Sequence, residues 1–204
     1  MKTTKLSATF RILAVAFGLL SAYGCASSPP ARFFELPAPI QFTDGQHIDL
    51  AETKQLVGIL PIKLAAYLNG PQIVTRLGPE EIYPDEFNRW GIPLADSIAT
   101  TLALRMLQEL PDTYIDVYPW SGGNTFDYQV RVEIARFDGT LGKNASMTAQ
   151  WTIVRGRNSD AIIARDISYY TQPVGDKTYE ALTKAMSKLV VMLADDISAK
   201  IRGL

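Results

Sequence analysis

A single cysteine, Cys25, is the feature that most constrains this chain. One thiol cannot close an intramolecular disulfide, so the fold must be held by burial and hydrogen bonding. A chain of 204 residues can bury a core of that kind. Hydrophobic residues make up 47% and charged residues 20%, a balance that suits a globular domain and excludes a disordered chain. There is also one histidine, His47. Histidine-based metal sites and Ser–His or Cys–His chemistry therefore have almost nothing to draw on.

The position of Cys25 gives it a role. Lys2, Lys5 and Arg11 precede an apolar run from Ile12 to Leu20, and small residues then lead to the thiol. This is the order of a secretory signal peptide. The run is too short to span a bilayer, which takes roughly 20 apolar residues as a helix. The segment Ser21-Ala22-Tyr23-Gly24-Cys25 resembles a bacterial lipobox, whose cysteine receives diacylglycerol and, after cleavage, an N-acyl chain. Three acyl chains at about 0.8 kcal/mol per buried CH₂ hold far more firmly than one. Ala26, rather than an aspartate, follows the cysteine, and that favours sorting to the outer membrane. The expected boundaries are 1–24 for the signal peptide, 25–54 for a lipidated N-terminus and Pro-rich tether, and 55–204 for the domain. Loss of Lys2, Lys5 and Arg11 from 20 basic residues leaves 17 against 21 acidic, a balance of −4. An acidic chain has no electrostatic grip on nucleic acid.

Within the tether, Phe33 and Phe34 predict a first short strand docked on the domain. Leu56 to Leu64 reads as a buried strand that ends or bulges at Pro61. Gln72 to Arg76 is a short strand, and Glu80 to Trp90 reads as irregular or a short helical turn. Pro93 opens a helix whose apolar face is Leu94, Ile98, Leu102 and Met106. A strand at Tyr114 to Tyr118 follows, so strand, helix and strand form a βαβ unit on a parallel pair. Tyr128, Val130, Val132 and Ile134 alternate with polar residues and begin an antiparallel meander, broken at Asp138-Gly139. Met147, Ala149, Trp151 and Ile153 form the inner face of its second strand, and Ile162 to Tyr170 is its third. The last helix spans about 177–202 with Asp176 as N-cap. Its stripe of Leu182, Met186, Leu189, Val190, Leu193 and Ile197 is core or a lipid-contacting face. The expected fold is a single layered α/β domain: a mixed sheet with a βαβ unit, an antiparallel meander and a long C-terminal helix packed on the sheet.

No nucleophile elbow, Walker loop or dinucleotide glycine pattern is present. The acidic pairs Glu80-Glu81, Asp85-Glu86 and Asp195-Asp196 read as solvated surface, and no catalytic residue, metal site or bound cofactor is expected beyond the covalent lipid. Tyr67, Tyr83, Phe87 and Trp90 crowd a stretch of weak periodicity. With Gln72 and Arg76 they form the candidate partner interface, since aromatics and arginine are favoured in protein contacts. The alternative is that they cover the sheet.

Several segments together resemble the ABC-type transport auxiliary lipoprotein family, of the paraquat-inducible membrane-integrity type. These are Phe33-Phe34-Glu35-Leu36-Pro37, Tyr67-Leu68, Pro71 to Arg76, Trp90, Pro93-Leu94, Phe137-Asp138-Gly139 and Trp151. The resemblance covers about residues 25–204. It implies a non-catalytic, lipid-anchored subunit on the periplasmic face of the outer membrane, serving an intermembrane lipid transport system. The implied partners are a periplasmic protein of the mammalian-cell-entry type and an inner-membrane permease and ATPase complex, with self-association left open. The competing expectations are an envelope-assembly or peptidoglycan-binding lipoprotein and an envelope hydrolase.

Overall fold

The computed structural model describes residues 28–37, 53–120, 125–156 and 161–204. Cys25, His47 and most of the expected tether lie outside the described residues.

The long strand β7 (Tyr128–Gly139) organises the sheet. Its residues alternate buried and exposed from Tyr128 to Ile134, as the sequence predicts. On one side it pairs antiparallel with β8 (Asn144–Arg155), which pairs antiparallel with β9 (Ile162–Pro173). On the other side it meets three strands in succession, all parallel: β2 (Gln55–Ile59), β3 (Lys63–Leu64) and β4 (Gln72–Arg76). The expected strand over 56–64 is thus two strands with exposed Pro61 between them, where no N–H is available to the ladder. β6 (Thr113–Val117) flanks β2 in parallel, which completes the βαβ unit. β5 (Ile82–Trp90) flanks β4 antiparallel, and β1 (Arg32–Phe34) flanks β5 in parallel.

β5 corrects the reading of Glu80 to Trp90 as irregular. Only Trp90 of its nine residues is buried, so the strand carries no period-two pattern. Its two flanking strands hold it instead. A second correction concerns the break expected at Asp138-Gly139. The register shifts between Ile134 and Arg136, and the strand continues through Asp138 and Gly139. The chain turns at 140–143, with Gly142 at φ 71°.

Among the described residues, two α-helices cover one face of the sheet. The helix α1 (Leu94–Glu109) buries Leu94, Ile98, Leu102 and Met106. The helix α2 (Tyr179–Arg202) buries the whole expected stripe, so that stripe is core. Its N-cap is Thr178, whose hydroxyl accepts from the Ala181 N–H at 3.2 Å. Asp176 instead accepts from the Thr178 N–H at 2.8 Å, which fixes the cap residue. Gly139 shows how closely helix and sheet meet. A Cβ there would lie 2.6 Å from the Leu182 side chain and 2.9 Å from the Ala145 backbone.

Candidate functional site

The residues singled out by sequence separate into a buried polar centre, a core residue and an exposed edge. Their shared scaffold is the β4–β5 hairpin.

The polar centre is Asp138, which the sequence marks only as part of a motif. Gly139 faces α2, so its neighbour Asp138 points to the opposite face of the sheet. That side chain is fully buried. It accepts from Arg76 Nε at 3.1 Å and Nη2 at 2.7 Å, from Arg136 Nε at 3.0 Å, and from the Tyr67 hydroxyl at 3.0 Å. The Phe137 N–H donates to that same hydroxyl at 3.3 Å. Tyr67 belongs to a 3-10 turn, Ala66–Leu68, and so roofs the carboxylate from a separate segment. Burial alone would raise the Asp138 carboxyl. The hydrogen bonds from Arg76 and Arg136 outweigh it and hold the group below the ordinary carboxylate range. Burial, and then the Asp138 charge, push the Tyr67 hydroxyl up to about 12. The one carboxylate binds two arginines and a tyrosine, so the centre fixes β4 and the Ala66–Leu68 turn against β7.

A second carboxylate holds the other strand. Asp85 accepts from the Phe87 N–H at 2.7 Å and the Asn88 N–H at 2.8 Å, and from the Tyr179 hydroxyl at 2.7 Å. Desolvation works against its charge, and these three donors still hold its pKa below the ordinary value. Burial, then the bond to Asp85, pushes the Tyr179 hydroxyl well above its ordinary range. The solvated reading of Asp85 is therefore corrected: β5 hangs on α2 through it. Asp195 and Asp196 also have partners. Arg105 of α1 donates to Asp195 at 2.7 Å, and the Tyr170 hydroxyl of β9 donates to Asp196.

Of the expected interface, Trp90 is 6% exposed and sits in the core, while Tyr67 and Arg76 serve Asp138. Gln72 donates to Glu86 across the hairpin at 3.2 Å. Tyr83 and Phe87 are exposed on β5. Phe33, Leu77 and Ile82, which the sequence reading leaves out of the interface, are exposed beside them or at the hairpin end. Between the 64–71 and 90–95 segments lies a cleft of about 330 Å³, floored by Leu68, Trp90 and Leu94. Among the described residues no three His, Cys, Asp or Glu side chains gather as metal ligands, and no helix is long and apolar enough to cross a membrane.

β1 ties the start of the described domain to this hairpin. Arg32 pairs with Asn88 in register, and Gly91 donates to the Phe34 carbonyl at 2.7 Å. Arg32 forms an ion pair with Glu180, and the Phe34 ring lies 6.1 Å from that of Tyr179. Beyond β1, the Leu36 N–H reaches Ser97 Oγ at 3.4 Å, and Ser187 Oγ donates to the Pro37 carbonyl at 2.6 Å.

The family model described as the ABC-type transport auxiliary lipoprotein component matches residues 41–198. Two solved structures share the fold at low identity. One is the crystal structure of a protein described as uncharacterised, at TM-score 0.69 and 15% identity, covering 85% of this chain and 99% of that one. The other is a Xanthomonas campestris protein assigned to the DUF330 family, at TM-score 0.61 and 14% identity, covering 87% of this chain and 95% of that one. No curated protein matches the sequence.

Proposed function

The chain belongs to the ABC-type transport auxiliary lipoprotein family, and from that premise we propose that it is a non-catalytic subunit of an intermembrane lipid transport system. Diacylglycerol and an N-acyl chain on Cys25 hold it to the periplasmic face of the outer membrane. There it receives a periplasmic protein of the mammalian-cell-entry type, whose other end meets an inner-membrane permease and ATPase.

The family match over residues 41–198 carries this reading. The chemistry around Asp138 agrees with it. A carboxylate closed by two arginines and a tyrosine is a scaffold, and a subunit that acts by docking needs a rigid surface more than a reactive group. A lipid anchor adds a high local concentration at the membrane, so a modest contact with the partner suffices for capture.

Native envelopes solubilised in mild detergent test the proposal. Affinity capture of the acylated full-length protein is expected to recover a mammalian-cell-entry protein, and Cys25→Ser is expected to release the chain from the outer-membrane fraction. Capture that yields only peptidoglycan fragments or outer-membrane assembly factors would overturn it.

A further inference from the structure

We infer that the end of the domain formed by β1 and the β4–β5 hairpin lies against the lipid surface that holds the anchor, with Phe33 and Phe87 entering the bilayer interface. The inference rests on the proposed acylation of Cys25 and adds a second, non-covalent membrane contact to it.

Chain length gives the first argument. β1 is fixed to the domain by its pairing with β5, by the ion pair from Arg32 to Glu180 and by the Phe34–Tyr179 contact. Six residues, 26–31, separate Cys25 from Arg32. Seven Cα steps of about 3.3–3.6 Å reach no more than about 25 Å. If the chain were first fixed at Gln55, its thirty steps could reach about 100 Å. Docking of β1 thus turns a long tether into a short one. The domain surface around Arg32 cannot stand far from the headgroups.

Direction gives the second argument. β1 runs parallel to β5, with Arg32 opposite Asn88 and Phe34 opposite Trp90. The N-terminal end of β1, from which the chain leads back to Cys25, therefore lies on the Phe87 side of that register. The same direction along β5 leads to Tyr83, Ile82 and the hairpin end.

Several large apolar side chains are exposed at this end, beside the exposed Glu80, Glu81 and Glu86. Phe33 is 67% exposed and Leu77 61%, and Ile82, Tyr83 and Phe87 are exposed beside them. Phe33 pairs in register with Arg89, and Phe87 lies two residues along β5 from that partner, so both exposed rings belong to the end of the β1–β5 pair where β1 begins. Nearby charges are largely paired: Arg32 with Glu180, and Arg89 with Glu86. Glu80 and Glu81 at the hairpin end add no attraction to anionic lipid. The contact is therefore apolar insertion by aromatic rings, which suits the headgroup boundary. It should persist at high salt.

The test uses the acylated full-length protein in phosphatidylethanolamine vesicles carrying brominated acyl chains. A Phe33→Trp variant places an indole at the proposed contact, and Ile167→Trp places one on β9, at the far edge of the sheet, where Ile167 is 68% exposed. Bromine is expected to quench the first indole strongly at low and high salt, and to leave the second near the wild-type signal. In detergent-free vesicles, a Phe33→Ser, Phe87→Ser chain without its acyl groups should bind about tenfold less than the unacylated wild type. Intact mass separates the two ways to fail. A chain with no acyl mass overturns the anchor and this inference together. An acylated chain whose Phe33→Trp indole is not quenched overturns this inference alone. An indole shielded only after the periplasmic partner is added makes the face a protein interface, and overturns it as well.

Discussion

Asp138 and Asp85 clamp the same hairpin from opposite faces of the sheet by different means. Asp138 is fully buried on the face away from the helices and takes charged donors, Arg76 and Arg136, with Tyr67 as a third partner. Asp85 is only partly buried, on the helix side, and takes neutral donors: two backbone N–H groups and the Tyr179 hydroxyl. The difference follows from water access. A carboxylate with no water must find its counter-charge inside the protein or lose its charge. A half-wet carboxylate can be held by ordinary hydrogen bonds, because solvent carries part of the remaining field. The first arrangement is costly to break and fixes β4 against β7. The second is mild and ties β5 to α2.

The largest effect should come from the buried side. Asp138→Ala leaves Arg76, Arg136 and the Tyr67 hydroxyl without their common acceptor. A loss of roughly 3 kcal/mol is expected in urea unfolding, the lower end for a broken buried ion pair because both arginines keep some access to water. A loss below about 1 kcal/mol would show that the centre is no stronger than the Asp85 clamp. Acid comes next. Both carboxyls have folded-state pKa values below the ordinary one. Their stabilisation is present above the unfolded-state value of about 3.9 and is lost as pH falls below it, through the folded-state value. The urea midpoint should decline below about pH 4, and Asp138→Ala should flatten that decline more than Asp85→Ala does. Tyr179→Phe ranks third. It removes one hydrogen bond from a carboxylate that keeps two others, for roughly 1 kcal/mol.

Much of the scaffold was legible because burial wrote a period into it. The stripe Leu94, Ile98, Leu102, Met106 marked α1, the longer stripe from Leu182 to Ile197 marked α2, and the alternation from Tyr128 to Ile134 marked β7. The rest failed for physical reasons. β5 buries one residue in nine, so its pairing left no trace in hydrophobicity. Asp138 follows a register shift, so alternation no longer says which way a side chain points. Asp176 and Thr178 are both good cap residues two positions apart, and only the backbone path decides between them. Asp85 looked like a surface acid because its main partner, Tyr179, is 94 residues away. The candidate interface mixed exposed and buried aromatics for the same reason. Composition marks a tyrosine or tryptophan as important without saying whether it faces out, as Tyr83 does, or in, as Trp90 does.

The finest test asks whether the two clamps are independent. Thr75 and Arg76 are neighbours in β4, yet they point to opposite faces. Thr75 lies opposite Gly139, on the α2 side, and Arg76 reaches Asp138 on the other. The two carboxylates thus act on the paired strands β4 and β5 and share no side-chain partner. Communication between them would have to pass through the β4 backbone, which is pinned by β5 on one edge and at Gly139 of β7 on the other. Sites without shared partners add to within about 0.5 kcal/mol. Tyr67→Phe and Tyr179→Phe should therefore each lower stability by about 1 kcal/mol, and the double variant should lose their sum to within that margin. A coupling above about 1 kcal/mol would mean that the hairpin moves as one body when either clamp opens. In that case losing the Tyr67 hydroxyl would also loosen Tyr83 and Phe87, and hydrogen exchange along Ile82–Trp90 would accelerate in the Tyr67→Phe variant.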